Sequence, residues 1–159
     1  MRLEPSNQIA PKALTVWRIY GAFNSLFFIL LSIGSILLVL LTPVPVWVSI
    51  ITILITALLT YLFIQVLPAI RHRVWRYEVR EYEIELKFGL LIIRRVLVPM
   101  VRVQHVDTKQ GPILRHYELS TVTVSTAATT HEIPALDRET ADQVRDYISQ
   151  MARVSEEDV

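Results

Sequence analysis

Cysteine is absent from the 159-residue chain, which excludes disulfides and thiolate metal sites. Glycine is scarce as well, with four residues in all and only Gly89 and Gly111 in the C-terminal two-thirds, so no glycine-rich loop is available to cradle a phosphate. No Gly-x-Ser-x-Gly elbow occurs. The histidines His72, His105, His116 and His131 include no pair at the three- or four-residue spacing that sets two ligands on one helix face. His131-Glu132 lacks the second histidine of a metalloprotease motif. Neither a metal nor a cofactor is expected, and no enzyme activity. Strong net charge is missing too: the formal total is +1, and from Pro68 onward thirteen Lys and Arg face fourteen Asp and Glu. That balance lacks the positive field of a nucleic-acid binder, so no nucleic acid is expected as a partner.

The most informative absence is of charge within two long stretches. Residues 19–41 and 46–67 are apolar runs of twenty-three and twenty-two residues without one charged residue, separated only by Thr42-Pro43-Val44-Pro45. A bilayer core about 30 Å thick needs roughly 20 helical residues to cross. The pattern predicts a transmembrane helical hairpin over residues 17–67, with a short outer loop at 42–45. The first run is too long for a signal-peptide core and the second follows at once, so both are expected to stay in the mature protein. Arg2, Lys12 and Arg18 precede the first span, Arg71, Arg73, Arg76 and Arg80 follow the second, and the loop is uncharged. By the positive-inside rule this predicts a multi-pass cell-membrane protein with both termini cytoplasmic, and Trp17, Tyr20 and Trp47 suit the interfaces.

Small and polar residues form stripes along the spans. Gly21, Ser25, Ser32 and Ser35 recur at helical spacing in the first, and Ser49, Thr52, Thr56 and Thr60 in the second. They are expected to pack the two helices together, with Asn24 near the inner end available to Thr60, Gln65 or another protein. Such residues more often ease helix contact than line a path, and with no ionisable group in either span a transport role is disfavoured.

The rest of the chain changes period. Residues 1–16 read as a polar, loosely attached cytoplasmic arm. Pro68 is expected to interrupt the second helix. Tyr82, Ile84, Leu86 and Phe88 then alternate with Glu81, Glu83, Glu85 and Lys87, predicting a strand with one solvated, carboxylate-bearing face. A turn at Gly89, a β-prone segment over 90–98 carrying Arg94 and Arg95, a break at Pro99 and alternation through Val101, Val103 and His105 follow. Past Gln110-Gly111-Pro112, Val122 and Val124 alternate with Thr121, Thr123 and Ser125. Short strands at this spacing predict an antiparallel sheet or small barrel. Asp137 is placed to cap a final helix whose apolar stripe is Ala141, Val144, Ile148 and Met151. Residues 155–159 are an acidic tail.

Several short segments in this order carry a resemblance. Val98-Pro99 leads to Val103-Gln104-His105-Val106, then Gly111-Pro112-Ile113-Leu114-Arg115, Leu119-Ser120-Thr121-Val122-Thr123-Val124-Ser125-Thr126-Ala127 and Ile133-Pro134-Ala135-Leu136. Behind two spans, this text resembles the bacterial membrane-flanked pleckstrin-homology-like (YdbS-like) domain family. The resemblance implies an α+β membrane protein in which residues 68–154 form a cytoplasmic PH-like antiparallel β-barrel with a C-terminal α-helix. It also implies an anchored interaction module, often working beside a larger relative with several such domains, and assigns no catalytic residue. Two positions depart from the pattern: Glu118 and Ala128 stand where relatives usually or often have glycine.

Two surfaces are candidates for contact. Arg71, Arg73, Trp75, Arg76 and Arg80 follow the second span, where basic residues gain about 1 kcal/mol each from an anionic leaflet. Ordinary anchoring explains them more simply than recognition of a particular lipid, and both readings stay open; Trp75 and Tyr77 would then seat at headgroup level. Gln110, Ile113, Leu114, Arg115 and His116 form a loop suited to a protein partner, although Ile113 and Leu114 also suit closing the barrel end. Of Arg94 and Arg95, whichever turns inward needs a carboxylate or carbonyl. The expected function is a membrane-anchored PH-like binding or scaffolding module at the inner face of the membrane, tethering another membrane protein for envelope maintenance. A structural subunit whose hairpin packs inside a larger complex is the alternative, as is an anionic-lipid recognition module.

Overall fold

Helix α1 (Ala13–Leu41) runs for 29 residues, and at 1.5 Å per residue this is about 44 Å. Thr42 ends it, its amide and hydroxyl both donating to the Leu38 carbonyl. The return leg is α2 (Trp47–Tyr61), a π-helical turn (Leu62–Val66) and α3 (Leu67–Val74), which together give 28 helical residues. Both legs are long and apolar enough to cross a membrane, and their outer faces carry exposed Phe, Leu and Ile all round. The helix is not broken at Pro68 as the sequence led us to expect. Instead the ladder widens just ahead of it, with the Leu67 N–H reaching back to the Leu62 carbonyl. This wide turn loosens the backbone where the proline ring would otherwise collide with the carbonyl four residues back.

The computed structural model describes residues 4–157, with side chains as far as Val154. It divides into two units, one formed by Leu14–Ile70 and the other by the N-terminal residues through Ala13 together with everything from Arg71 onward. In the second unit, β2 (Arg76–Val79), β3 (Glu83–Phe88) and β4 (Arg94–Pro99) form an antiparallel meander, and β1 (Asn7–Gln8) adds to its edge beside β2. A single 3₁₀ turn (Met100–Arg102) leads to the second sheet of β5 (Val103–Lys109), β6 (Leu119–Thr126) and β7 (Thr130–Asp137), also antiparallel. Between β5 and β6 lies the short helix α4 (Pro112–His116). Helix α5 (Arg138–Glu157) packs on all three strands of the second sheet and on the 3₁₀ turn. Ile84, Leu86, Val98, Met100, Leu119, Val122, Ile133, Leu136 and Ile148 are buried and make the core.

Antiparallel sheets followed by a C-terminal helix are the expected PH-like class. Among the described residues no ladder joins the two sheets, so the domain is a sandwich of two sheets rather than one closed barrel.

The arm is no loose appendage. Its strand pairs Asn7 with Tyr77 and Gln8 with Arg76, Ile9 and Ala10 are buried, and the Ala10 N–H donates to the Ala135 carbonyl on β7 at 3.2 Å. His72 meets the Ala10 carbonyl at 3.2 Å, and Lys87 pairs with Glu4 at 2.6 Å. The arm therefore clasps one sheet to the other. A two-residue strand has no readable period, which is why the sequence gives no sign of it.

The solvated carboxylate face of β3 is corrected in part. Glu85 is only 1% exposed, held by the Arg95 guanidinium, whose Nε donates to Oε1 at 2.7 Å, with Arg80 Nη2 3.8 Å from Oε2. The carboxylate expected beside Arg94 and Arg95 is thus Glu85, and Arg95 is the one that takes it. The β-prone run also starts its strand later than expected, at Arg94, because residues 89–93 are used in reversing the chain.

The helical backbone continues through Glu157, into the expected acidic tail. The side chains of residues 155–157, residues 158–159 and residues 1–3, Arg2 among them, lie outside the described residues.

Candidate functional site

The hairpin residues singled out from the sequence divide cleanly. Gly21, Ser25 and Ser32 are buried. At Gly21 a Cβ would lie 2.9 Å from the Phe63 carbonyl carbon and closer still to its oxygen, so only glycine admits the π turn here. Thr56 Oγ1 donates to the Phe28 carbonyl at 3.3 Å and Ser49 Oγ to the Ser35 carbonyl at 3.2 Å, two bonds between the helices. Phe28 and Phe63 stack with centroids 5.8 Å apart. Ser25, Ser35 and Thr52 return their hydroxyls to their own helix. Thr60 Oγ1 is buried with no hydrogen-bond partner, and Asn24, expected to reach it, is exposed. A shallow groove of about 590 Å³ runs along the seam past Ser32, Thr56 and Thr60.

The four arginines and Trp75 picked out between residues 71 and 80 do not form one patch. Arg71 and Arg73 are exposed on α3. Trp75 is buried, stacked on Phe88 at 6.0 Å, and Tyr77 is buried beside it in sequence, so both rings are taken up by the domain rather than left free to seat among headgroups. Burial pushes the Tyr77 phenol up, with Asp137 adding to the shift. Arg80 is held among carboxylates, 2.8 Å from Glu78 and 3.4 Å from Glu83, which raises its already high pKa. Arg76 is half-buried in β2. Position after a span suggests an interface for this aromatic pair, whereas the stacking partner Phe88 arrives from β3.

A groove that the sequence does not announce lies beside this pair. Arg71, Trp75, Phe88, Thr130, His131 and Glu132 line about 310 Å³ where β7 comes alongside the end of β3. It combines the Arg71 cation, the stacked Trp75–Phe88 pair, the Glu132 carboxylate and the polar Thr130 and His131. Among the described residues no three His, Asp or Glu side chains converge on a metal-sized site.

At the expected partner loop, Gln110 Nε2 donates to the Leu119 carbonyl at 2.9 Å and so fixes the turn. Ile113 and Leu114 are half-buried, while Arg115 and His116 are exposed, the histidine edge-on to Tyr117 at 5.2 Å. Glu118, directly after this helix, has φ +58°, the left-handed conformation that glycine adopts without strain.

Two membrane-length helices and a two-sheet, helix-backed domain define a membrane-anchored PH-like protein. The chain belongs to the family described as Bacterial PH domain, whose model matches residues 18–152. It is 47% identical over 159 residues, covering 100% of both chains, to the UPF0699 transmembrane protein YdbS of Bacillus subtilis (strain 168). No solved structure matches the chain. This protein is accordingly a membrane protein of YdbS-like type.

Proposed function

We propose that the protein is a non-catalytic tether: its PH-like domain is held at the inner face of the cytoplasmic membrane, with both termini cytoplasmic, and binds another membrane protein there. The observation that carries the reading is the link between anchor and domain. Only Trp75 separates the end of α3 from the start of β2, and Trp75 is itself buried. A domain that follows a membrane span so closely in sequence is confined near the bilayer, and confinement raises its effective concentration toward partners in the same membrane. The basic flanks and uncharged loop support the inner face. Glu85, a buried carboxylate, is engaged with Arg95 and so is not free for acid-base work.

A second reading has its own observation. Asn24, a polar side chain exposed on the hairpin, favours a subunit whose helices pack against others in a larger complex. Exchanging the hairpin for an unrelated two-span anchor separates the two: a tether keeps its partner in a pull-down after gentle solubilisation, and a packing subunit loses it. Recovery of no membrane protein by the unaltered chain would overturn the tethering reading.

A further inference from the structure

The turn joining β3 to β4 is built from Leu90, Leu91, Ile92 and Ile93, and all four side chains are exposed, Leu91 at 95% and Ile92 at 74%. Hairpin turns are usually polar, and nothing in the geometry of this one asks for four aliphatics. The turn itself is set by Gly89, whose φ of +139° and close approach to the Ile92 backbone leave no space for a Cβ. The loop is therefore a shaped feature that holds its apolar tip outward.

Its position on the sheet is fixed by register. Arg76 pairs with Lys87 and Phe88 with Arg94, and Trp75 stacks on Phe88. The tip accordingly projects from the end of the sheet at which the chain arrives from α3. The other turn of the meander, with exposed Tyr82, lies at the far end, about 20 Å away at 3.3 Å per residue. Charge agrees with position: from Leu86 to Val106 the chain carries Lys87, Arg94, Arg95 and Arg102 and no carboxylate. Lys87 and Arg95 are paired with Glu4 and Glu85, while Arg94, next to the tip, is exposed.

We propose that residues 89–93 form a second membrane contact, with Leu91 and Ile92 inserted at the boundary of headgroups and acyl chains and Arg94 against anionic headgroups. An apolar tip rimmed by a cation is the chemistry that a lipid surface rewards. Because the sheet end bearing the tip is also the end joined to the anchor, the bilayer is the occupant that continuity favours over a protein. The contact would fix the domain's orientation, so that it presents a constant face to whatever it binds. The inference rests on membrane anchoring and not on the identity of any partner.

The cysteine-free chain makes the test direct. Leu91→Cys and, as control, Tyr82→Cys are each labelled with an environment-sensitive fluorophore in the full-length protein, reconstituted in nanodiscs of phosphatidylglycerol and phosphatidylcholine. Both side chains are exposed, so neither replacement removes core packing. Insertion gives, at position 91 alone, a blue shift, protection from iodide, and loss of emission when the acyl chains carry a nitroxide near the headgroup; Leu91→Cys combined with Ile92→Asp loses all three. Equal iodide quenching at both positions with no effect of the nitroxide lipid would overturn the proposal. Protection from both quenchers would overturn it equally, by showing a protein contact. No partner is present in the nanodisc, so failure here leaves the tethering reading standing, and failure of the pull-down leaves this one standing.

Discussion

Glu85 illustrates how a residue's role follows from what neighbouring strands bring to it. Its side chain is about 2% exposed whereas that of Arg95 is 38% exposed, so the two halves of the pair are not equivalent. Removing the arginine strands a buried carboxylate, with only Arg80 at 3.8 Å to help, and Arg95→Leu is expected to cost about 2 kcal/mol. Glu85→Leu should cost less, because the arginine left behind reaches water. The double replacement should regain most of the loss, since an apolar pair needs no partner. Chemical denaturation of the three variants in one detergent checks the order. Glu118 offers the opposite case, a residue in a backbone state suited to glycine. Left-handed geometry costs a side-chain-bearing residue about 1 kcal/mol, so Glu118→Gly is expected to raise stability by roughly that amount, read as an upward shift of the thermal midpoint. That Glu118 departs from glycine at this turn was legible from the resemblance. The burial of Glu85 was not, because it occupies a polar position of an alternating strand and its partners come from elsewhere.

Among the elements, the hairpin and the arm differ in how openly the sequence declares them. Twenty-odd uncharged residues have one physical reading, and the helices follow it. What sequence could not show is the π turn, which arises from Pro68 lying in a helix that continues, or the fact that Gly21 faces it. The stripe placed Gly21 on the correct face, and the close backbone approach gives that placement an energetic meaning. Gly21→Val would drive a Cβ bearing two methyl groups into the Phe63 carbonyl and is expected to weaken helix pairing by about 1–3 kcal/mol. Reversible unfolding from bicelles measures this, with Gly34→Val as the control because a Cβ there meets nothing. The arm carries an electrostatic latch. Hydrogen bonding and attraction from Lys87 lower the Glu4 carboxyl below its ordinary 4.5, so the folded arm binds a proton less readily than the free arm. The contribution is fully present above the ordinary carboxylate range and is lost as pH falls through the lowered value. Amide exchange at Gln8 and Ala10, expressed as protection relative to the free peptide, should decline over that window. Glu4→Gln should show the lower protection at neutral pH and no further decline with acid.

At the scale of the whole molecule, the two spans and the sheet-then-helix order were open to reading because length and period are local properties. The groove beside Trp75 and the apolar tip after Gly89 were closed to it, since each depends on distant segments or on which residues a turn consumes. Sidedness is a different kind of property: it comes from charge counted across the chain. The connecting loop has no ionisable residue, whereas Lys12 and Arg18 precede one span and Arg71 and Arg73 follow the other. Moving these cations through a bilayer costs far more than moving Thr42 and two prolines, so insertion should leave the loop outside. Single cysteines test this without background, because the chain has none of its own. Thr42→Cys is expected to react with a membrane-impermeant maleimide on intact cells, while Ser6→Cys and Ala128→Cys, exposed on the domain unit, should react only after the membrane is opened. Labelling of Ser6→Cys and Ala128→Cys on intact cells would invert the topology. It would place the PH-like domain on the outer face and remove the inner-leaflet partners from consideration, whereas Arg94 and the Leu91 tip would still meet a bilayer, now from its other side.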